Sequence, residues 1–201
     1  ASLRRQRQMC IRDRMKALHQ NRVTGLRITP WIRGADVWLT GPGMAEMWAT
    51  GAETGQAMCC LIDPSDLSAV SRMCVRFPKT PVVIDHFARI GVDGLIRDED
   101  LGQLCKLAKH PQVKVKISAY YALGKKKPPH DELVPMIRKL LDAYGPERLM
   151  WASDAPYQMT EGNSYQASIE LITERLEFLT DSDREWLLRK TAASTYDFEL
   201  A

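Results

Sequence analysis

Short apolar runs alternate along the chain with longer segments in which apolar residues recur every three or four positions. From residue 22 onward the pattern predicts five strands, at GLRIT (25–29), AMCCLI (57–62), VVIDH (82–86), VKVKIS (113–118) and RLMWASDAP (148–156). Strands that alternate with helical segments are typical of a parallel sheet covered by helices. The pattern therefore predicts an α/β domain.

The segments between the strands have helical periodicity. In the second of them Leu67, Val70 and Met73 share one face, and Pro78 ends the pattern. A further helix is expected to begin at a capping box of Ser182 and Glu185. The predicted helices are 44–53, 66–77, 98–110, 131–144 and 165–179, followed by the one that begins near Ser182.

Two architectures fit five consecutive βα units, namely an open doubly wound sheet and most of a (β/α)8 TIM barrel. An open nucleotide-binding sheet calls for a glycine-rich fingerprint, and the sequence has neither GxGxxG nor GxxxxGK[ST]. The barrel is therefore the predicted fold, in a single domain over residues 15–201.

Composition fits this picture. The chain has 201 residues, of which 45% are hydrophobic and 26% charged, as in one soluble globular domain. It contains no run of about 18 apolar residues and no secretory h-region, so neither a membrane partner nor secretion is expected. Five cysteines without a CxxC pair predict reduced thiols and a cytoplasmic protein.

The net charge of +3 comes from the first 14 residues, ASLRRQRQMCIRDR, which hold five of the 28 basic and one of the 25 acidic residues. The remainder has 23 basic and 24 acidic side chains, so no nucleic-acid partner is expected for the body of the protein. RRQRQMCIRDR is similar to translated adapter sequence at the ends of open reading frames. Residues 1–14 are therefore expected to be a non-native tail, with a nucleic-acid-binding or targeting arm as the alternative.

Two predicted strands end in groups that can carry chemistry. If alternate side chains point into a barrel, then His86 faces inward with Val82 and Ile84, and Asp85 faces outward. By the same rule Asp154 faces inward with Met150 and Ala152. In VKVKIS the apolar residues are expected to meet helices, so Lys116 and Ser118 face the interior. The carboxyl ends of barrel strands are where active sites lie.

Imidazole and carboxylate groups suit a divalent cation such as Zn²⁺, and a carboxylate can also act as a general base toward water. Both side chains also have structural interpretations. His86 can be a satisfied histidine at a strand end, and Asp154 can cap the turn SDAP. The residues alone leave both interpretations open.

A resemblance favours the catalytic one. The series VVIDHFARIG, VKVKIS, AYGPERLMWASDAP and LTDSDREWLLRKTAASTY resembles the carboxyl-terminal part of the amidohydrolase-related family, in the amidohydrolase superfamily. That branch includes metal-dependent lactonases and, more distantly, decarboxylases of muconate-like acids. The resemblance covers about residues 23–196. It implies a hydrolase that opens a lactone or related cyclic ester or amide of a small organic acid.

The resemblance also implies roles for individual residues. His86 is implied to be a metal ligand or a group that polarises the substrate carbonyl, and Asp154 a metal ligand and the base that activates water. Arg89 is implied to contact a substrate carboxylate. Further substrate contacts are expected at Lys116, Ser118 and Tyr120. The expected cofactor is Zn²⁺ or Mn²⁺, with a metal-free variant as the alternative.

One departure limits the resemblance. The family's first strand carries a His-x-His pair of metal ligands, and this sequence has none, since His19, His110 and His130 are isolated. We therefore expect an incomplete barrel in which about the first two βα units are missing and GLRIT is the third strand. The alternatives to a lactone hydrolase are a decarboxylase of a muconate-type acid and a catalytically inactive barrel fragment. The expected partner is a small anionic organic substrate, and a homo-oligomer is left open.

Overall fold

The described part of the chain forms one parallel sheet with its strands in sequential order. The computed structural model describes residues 2–31, 34–160 and 162–198, with side chains from residue 10 onward. Five strands pair as β1-β2-β3-β4-β5, every neighbouring pair parallel. Their bounds are Gly25–Ile28 (β1), Ala57–Cys60 (β2), Val82–Ile84 (β3), Val113–Ser118 (β4) and Leu149–Ala152 (β5).

Helices connect these strands, as the alternating pattern predicts. The described α-helices are Ser2–Gln20 (α1), Val37–Thr40 (α2), Met44–Thr54 (α3), Leu67–Arg76 (α4), Asp98–Lys106 (α5), Val134–Tyr144 (α6), Tyr165–Glu170 (α7), Asp181–Glu185 (α8) and Thr191–Tyr196 (α9). None of them is long and apolar enough to cross a membrane.

Local sequence explains where several helices begin and end. Three acidic residues, Asp98 to Asp100, occupy the first turn of α5, where the helix dipole favours negative charge. Gly145 follows α6 with φ 73°, a conformation that glycine adopts without strain. The expected start of α8 was two residues too late, because the capping box consists of Thr180 and Asp183 rather than Ser182 and Glu185.

The sheet has two different faces. The outer face carries Ile28, Cys60, Ile84, Val115 and Leu149, which share one buried apolar cluster with α4, α5 and α6. Each aliphatic side chain removed from water in this way contributes about 1.5–3 kcal/mol. The inner face carries Arg27, Cys59, Val83, Lys116 and Met150, and α9 packs against part of it through Ala192 and Tyr196.

This arrangement confirms the predicted faces of β4 and β5 and corrects that of β3. Val82 and Ile84 lie on the outer face, whereas Val83 and the following Asp85 lie on the inner face. The register explains the error, because Val83 pairs with Lys114 and therefore shares the face of the β4 lysines. The expectation that Asp85 faces outward was wrong.

The amino-terminal segment forms α1. Ile11 and Met15 on this helix contact the apolar core, and Arg12 bonds to Glu53 of α3 at 2.7 Å. Residue 1 and the side chains of residues 2–9 lie outside the described part. The expectation of a non-native tail over residues 1–14 stays a prediction.

Candidate functional site

The carboxyl ends of β3, β4 and β5 bring His86, Ser118 and Asp154 together. His86 Nδ1 lies 2.8 Å from Ser118 Oγ, and His86 Nε2 lies 3.7 Å from Asp154 Oδ1. Ser118 is fully buried and His86 is 8% exposed, so both have few alternative partners. The structure therefore joins three of the residues that the sequence singles out.

His86 reaches this position through a left-handed turn. The four residues from His86 to Arg89 have φ between 51° and 59°, although none is a glycine. Such conformations are rare for residues with a Cβ and persist only where the surroundings impose them. Here Phe87, which is fully buried, packs against Tyr120 with ring centroids 6.2 Å apart. The turn thus follows β3 directly and places the His86 ring beside Ser118 at the end of β4 and Asp154 beyond β5.

The surroundings of His86 favour its neutral form. Burial lowers its pKa below the usual 6.5, and the positive charges of Arg27 and Lys116 lower it further, against the opposing effects of Asp154 and Asp85. In the neutral ring the hydrogen bond to Ser118 decides the tautomer. If the Ser118 hydroxyl donates to Nδ1, then Nε2 carries the proton, and if Nδ1–H donates, then Nε2 presents a lone pair.

Asp154 is held from its other side. The Tyr121 hydroxyl donates to Asp154 Oδ2 at 2.8 Å, and the Tyr121 ring stacks on Tyr157 with centroids 6.5 Å apart. Burial and the neighbouring Asp154 raise the pKa of Tyr121, so its hydroxyl remains a donor at neutral pH. With Oδ2 occupied, Asp154 Oδ1 is the oxygen that faces His86.

A cavity of about 350 Å³ lies over this pair. Arg89 is at its wall, where its Nη1 bonds to Asp63 Oδ1 at 2.8 Å and its guanidinium lies 5.0 Å from the centre of the Trp31 ring. The lining consists of Arg27, Trp31, Leu61, His86, Arg89, Val92, Ala119, Tyr121, Ala122, Leu123, Asp154 and Tyr157. Positive charge and aromatic surface thus surround the candidate catalytic pair.

Asp85 belongs to the site region although the sequence analysis placed it elsewhere. It is fully buried, with Oδ2 3.2 Å from Arg27 Nε and Oδ1 3.0 Å from Lys116 Nζ. Both contacts are ion pairs without a hydrogen bond. Lys116 therefore lies near the site, but its ammonium faces Asp85. Only the register in which VVIDH pairs with VKVKIS reveals this contact, and the sequence alone does not give that register.

Tyr120 does not reach the cavity, and its assignment as a substrate contact was wrong. It is fully buried, and its hydroxyl donates to the backbone oxygen of Ile117 at 2.9 Å. Ala119, at φ 63°, redirects the chain after β4, so the alternation of side chains does not continue beyond the strand. The neighbouring Tyr121 faces the site instead.

The described residues do not by themselves fit a metal site. Two ligands on one tetrahedral Zn²⁺ lie about 3.4 Å apart, and the His86–Asp154 separation of 3.7 Å is close to that. Zinc needs three or four ligands, however. In the part of the chain that the structure describes, no group of three His, Cys, Asp or Glu side chains could hold a metal ion.

Comparison of the sequence with known proteins identifies relatives of this chain. A family model described as amidohydrolase matches residues 3–198. The chain is 28% identical to an L-fucono-1,5-lactonase of Burkholderia ambifaria over 131 residues, which are 64% of this chain and 44% of the relative. It is 30% identical to a 4-sulfomuconolactone hydrolase of Hydrogenophaga intermedia over 77 residues, which are 38% of this chain and 25% of that one.

Solved structures of amidohydrolases share the fold of this chain. An amidohydrolase from Burkholderia multivorans superimposes with a TM-score of 0.75 at 25% identity, covering 88% of this chain and 65% of that one. Another crystal form of an amidohydrolase from that organism, with bound zinc, gives 0.72 at 24% identity, covering 87% and 64%. The chain thus spans under half the length of the curated relatives, and its five strands are part of a TIM barrel, as the sequence predicts.

Proposed function

Because the chain belongs to the amidohydrolase family, we propose that it carries the catalytic pair of a hydrolase that opens a lactone of a small organic acid. The observation that carries the proposal is the approach of His86 Nε2 to Asp154 Oδ1 in the lining of a cavity. The matched relatives named as a lactonase and a lactone hydrolase support this choice of substrate.

Asp154 is the general base in this proposal. Its Oδ1 takes a proton from a water molecule as the water oxygen attacks the lactone carbonyl carbon. The bond between that carbon and the ring oxygen then breaks, and the proton on Asp154 passes to the departing alkoxide. The product is an open hydroxy acid, and Asp154 is again a carboxylate. Tyr121 holds Oδ2 throughout, which keeps Oδ1 directed at the water.

His86 stabilises the negative charge that develops on the carbonyl oxygen. With Ser118 donating to Nδ1, the neutral ring carries its proton on Nε2 and donates it to that oxygen. The lowered pKa of His86 fits this role, because a neutral ring keeps one defined donor. The cationic side chain of Arg89 at the cavity wall is proposed to attract an anionic substrate.

These steps are derived without a metal ion, since the described residues supply two ligands where zinc needs three or four. A zinc or manganese ion would take part in this reaction only if ligands in addition to His86 and Asp154 completed a metal site. Dialysis against a chelator, followed by addition of Zn²⁺ or Mn²⁺, separates the two versions. We expect the rate of the 201-residue chain to change less than twofold, and a tenfold rise on adding metal would require the metal-dependent version.

The proposal is tested with 5-oxotetrahydrofuran-2-carboxylate, a lactone that bears one carboxylate. We expect Asp154→Asn to lower kcat by about 10²–10⁴-fold, the usual contribution of a general base, and His86→Gln to have a similar effect. Asp131→Asn is the matched control, because it removes a carboxylate that is paired with Arg175 and lies outside the cavity lining. Full activity of Asp154→Asn on this and other carboxylated lactones would refute the proposal.

A further inference from the structure

We propose that Arg27 binds the acid group of the substrate, and that Asp85 is the positioning residue that aims Arg27 into the cavity. The inference rests on the proposed function, since it concerns the substrate of the same site. It adds a binding residue on β1, in the lining of the cavity that also contains Asp154. The relevant groups come from three strands and meet on the inner face.

Arg27 has its binding end available. Its contact with Asp85 is made through Nε, and among the described residues neither terminal nitrogen has a hydrogen-bond acceptor. The side chain is 51% exposed and lines the cavity over His86. Two terminal N–H groups on a planar guanidinium match the two oxygens of a carboxylate. Arg27 is therefore held through Nε, while its two terminal nitrogens are available to donate to a carboxylate.

Asp85 is suited to hold the Arg27 guanidinium. Its carboxylate is fully buried, its backbone N–H bonds to the Cys60 oxygen at 3.0 Å, and it directly follows β3. A buried carboxylate needs opposite charges nearby, and Arg27 and Lys116 provide them at 3.2 and 3.0 Å. Because Asp85 has little room to move, it presents its negative charge to Arg27 Nε from a fixed position.

The charges around Asp85 do not cancel. Arg27 and Lys116 carry two positive charges against the single negative charge of Asp85, so the group retains a net charge of +1. A substrate carboxylate beside Arg27 would balance it. This gives the inner side of the cavity a preference for an anion that an uncharged lactone cannot satisfy.

Arg89 differs from Arg27 in how it is held. Its Nη1 is already bonded to Asp63, and its guanidinium lies against Trp31. Asp63 is partly exposed, at 39% of its side chain, so water screens its charge more than that of the buried Asp85. Of the two arginines that line the cavity, Arg27 thus has the fully buried partner and the more exposed side chain, at 51% against 31%.

The test compares two lactones that differ in one substituent, 5-oxotetrahydrofuran-2-carboxylate and γ-valerolactone, which has a methyl group in place of the carboxylate. Arg27→Gln is expected to lower the ratio of kcat/KM for the charged over the uncharged lactone by about 10- to 100-fold, the usual value of a hydrogen-bonded charge. The loss should lie mainly in KM. Arg175→Gln, which breaks an exposed ion pair with Asp131, is the matched control and should leave the ratio unchanged.

The role of Asp85 is read from three variants. Asp85→Asn should lower the same ratio, and in a double variant with Arg27→Gln it should add nothing, because it acts through Arg27. Arg27→Lys keeps the charge but lacks the Nε contact, so it should resemble Arg27→Gln even if Asp85→Asn fails to fold. A ratio preserved in Arg27→Lys would overturn the positioning role, and a ratio preserved in Arg27→Gln would overturn the binding role.

A binding measurement separates this inference from the proposed function. Calorimetric titration with 2-hydroxyglutarate, the product of the charged lactone, requires no turnover. We expect binding that weakens at least tenfold in Arg27→Gln and not in Arg175→Gln. If the chain hydrolyses neither lactone yet shows this difference, the hydrolase proposal fails and the anion site stands. Equal binding by both variants would refute the anion site.

Discussion

Replacing Ser118 by alanine tests whether the hydrogen bond to His86 orients the ring. Ser118 Oγ lies 2.8 Å from His86 Nδ1, and both residues are buried, so water cannot readily replace the hydroxyl. Leaving a buried polar atom without its partner costs about 1–3 kcal/mol. For a domain of 150–250 residues each kcal/mol corresponds to about 2–4 °C, so we expect Tm to fall by about 2–12 °C.

The assay measures stability and ring tautomer together. Thermal unfolding by circular dichroism gives the change in Tm, and nitrogen NMR of the histidine rings reports which nitrogen of His86 carries the proton. We expect one neutral tautomer in the parent chain, protonated on Nε2, and a mixture in Ser118→Ala. Lactone hydrolysis should slow at least tenfold, because part of the population then lacks the donor.

Ser168→Ala is the matched control. Ser168 is also fully buried, and its Oγ accepts a hydrogen bond from Trp151 Nε1 at 3.2 Å. Its loss should lower Tm comparably while leaving the His86 tautomer as it was. The reasoning is refuted if Ser118→Ala keeps a single tautomer, or if it slows hydrolysis no more than Ser168→Ala does.

Three other predictions follow from burial. Burial lowers the pKa of His130 below its usual 6.5, despite the opposing charges of nearby carboxylates. The unfolded chain therefore binds this proton at a higher pH than the folded chain does, and stability falls as pH drops below about 6.5. In thermal melts from pH 8 to 5, His130→Gln should lose less of its Tm than the unchanged chain. Tyr120→Phe should cost about 1 kcal/mol of stability without slowing lactone hydrolysis, whereas Tyr121→Phe should lower kcat severalfold, and equal kinetics for the two would contradict the observed geometry. Ellman's reagent should label exposed Cys10 at once but label Cys74 only after unfolding, since burial raises the pKa of Cys74 to about 12; rapid labelling of both in the folded chain would be inconsistent with this burial.

Most of the fold could be predicted because its signals are local. In β4 the alternation of Val113, Val115 and Ile117 with polar neighbours identifies both the strand and its faces. The helix spacing over 66–77 and 131–144 likewise identifies α4 and α6 within a few residues. Each of these patterns is set by which side chains must leave water, so a single sequence carries it.

The face of β3 could not be read locally. The strand is three residues long and buried on both faces, so Val82, Val83 and Ile84 give no alternation to read. Only its pairing with β4 decides which residues face inward, and that pairing is a tertiary property. The sequence consequently located His86 and Asp154 but overlooked Asp85.

Side chains beyond the ends of strands were also difficult to place. Ala119 has φ 63° and Asp154 has φ 49°, and such residues change the direction of the backbone in a way that strand periodicity does not describe. Asp154 lies in the site, as strand alternation predicts, whereas Tyr120, which was expected as a substrate contact, does not. The metal ion, the partners and the tail stay predictions.

The left-handed turn from His86 to Arg89 also bears on how the protein folds. Each such residue is less favourable than its right-handed form by about 1–2 kcal/mol, so the isolated segment would not keep this shape. Burial of Phe87 against Tyr120 is what retains it. We therefore expect the turn to take this shape only when the outer-face core has closed. The backbone amides of residues 86–89 should exchange hydrogen together with those of β3 and β4, and not as those of an independently opening loop.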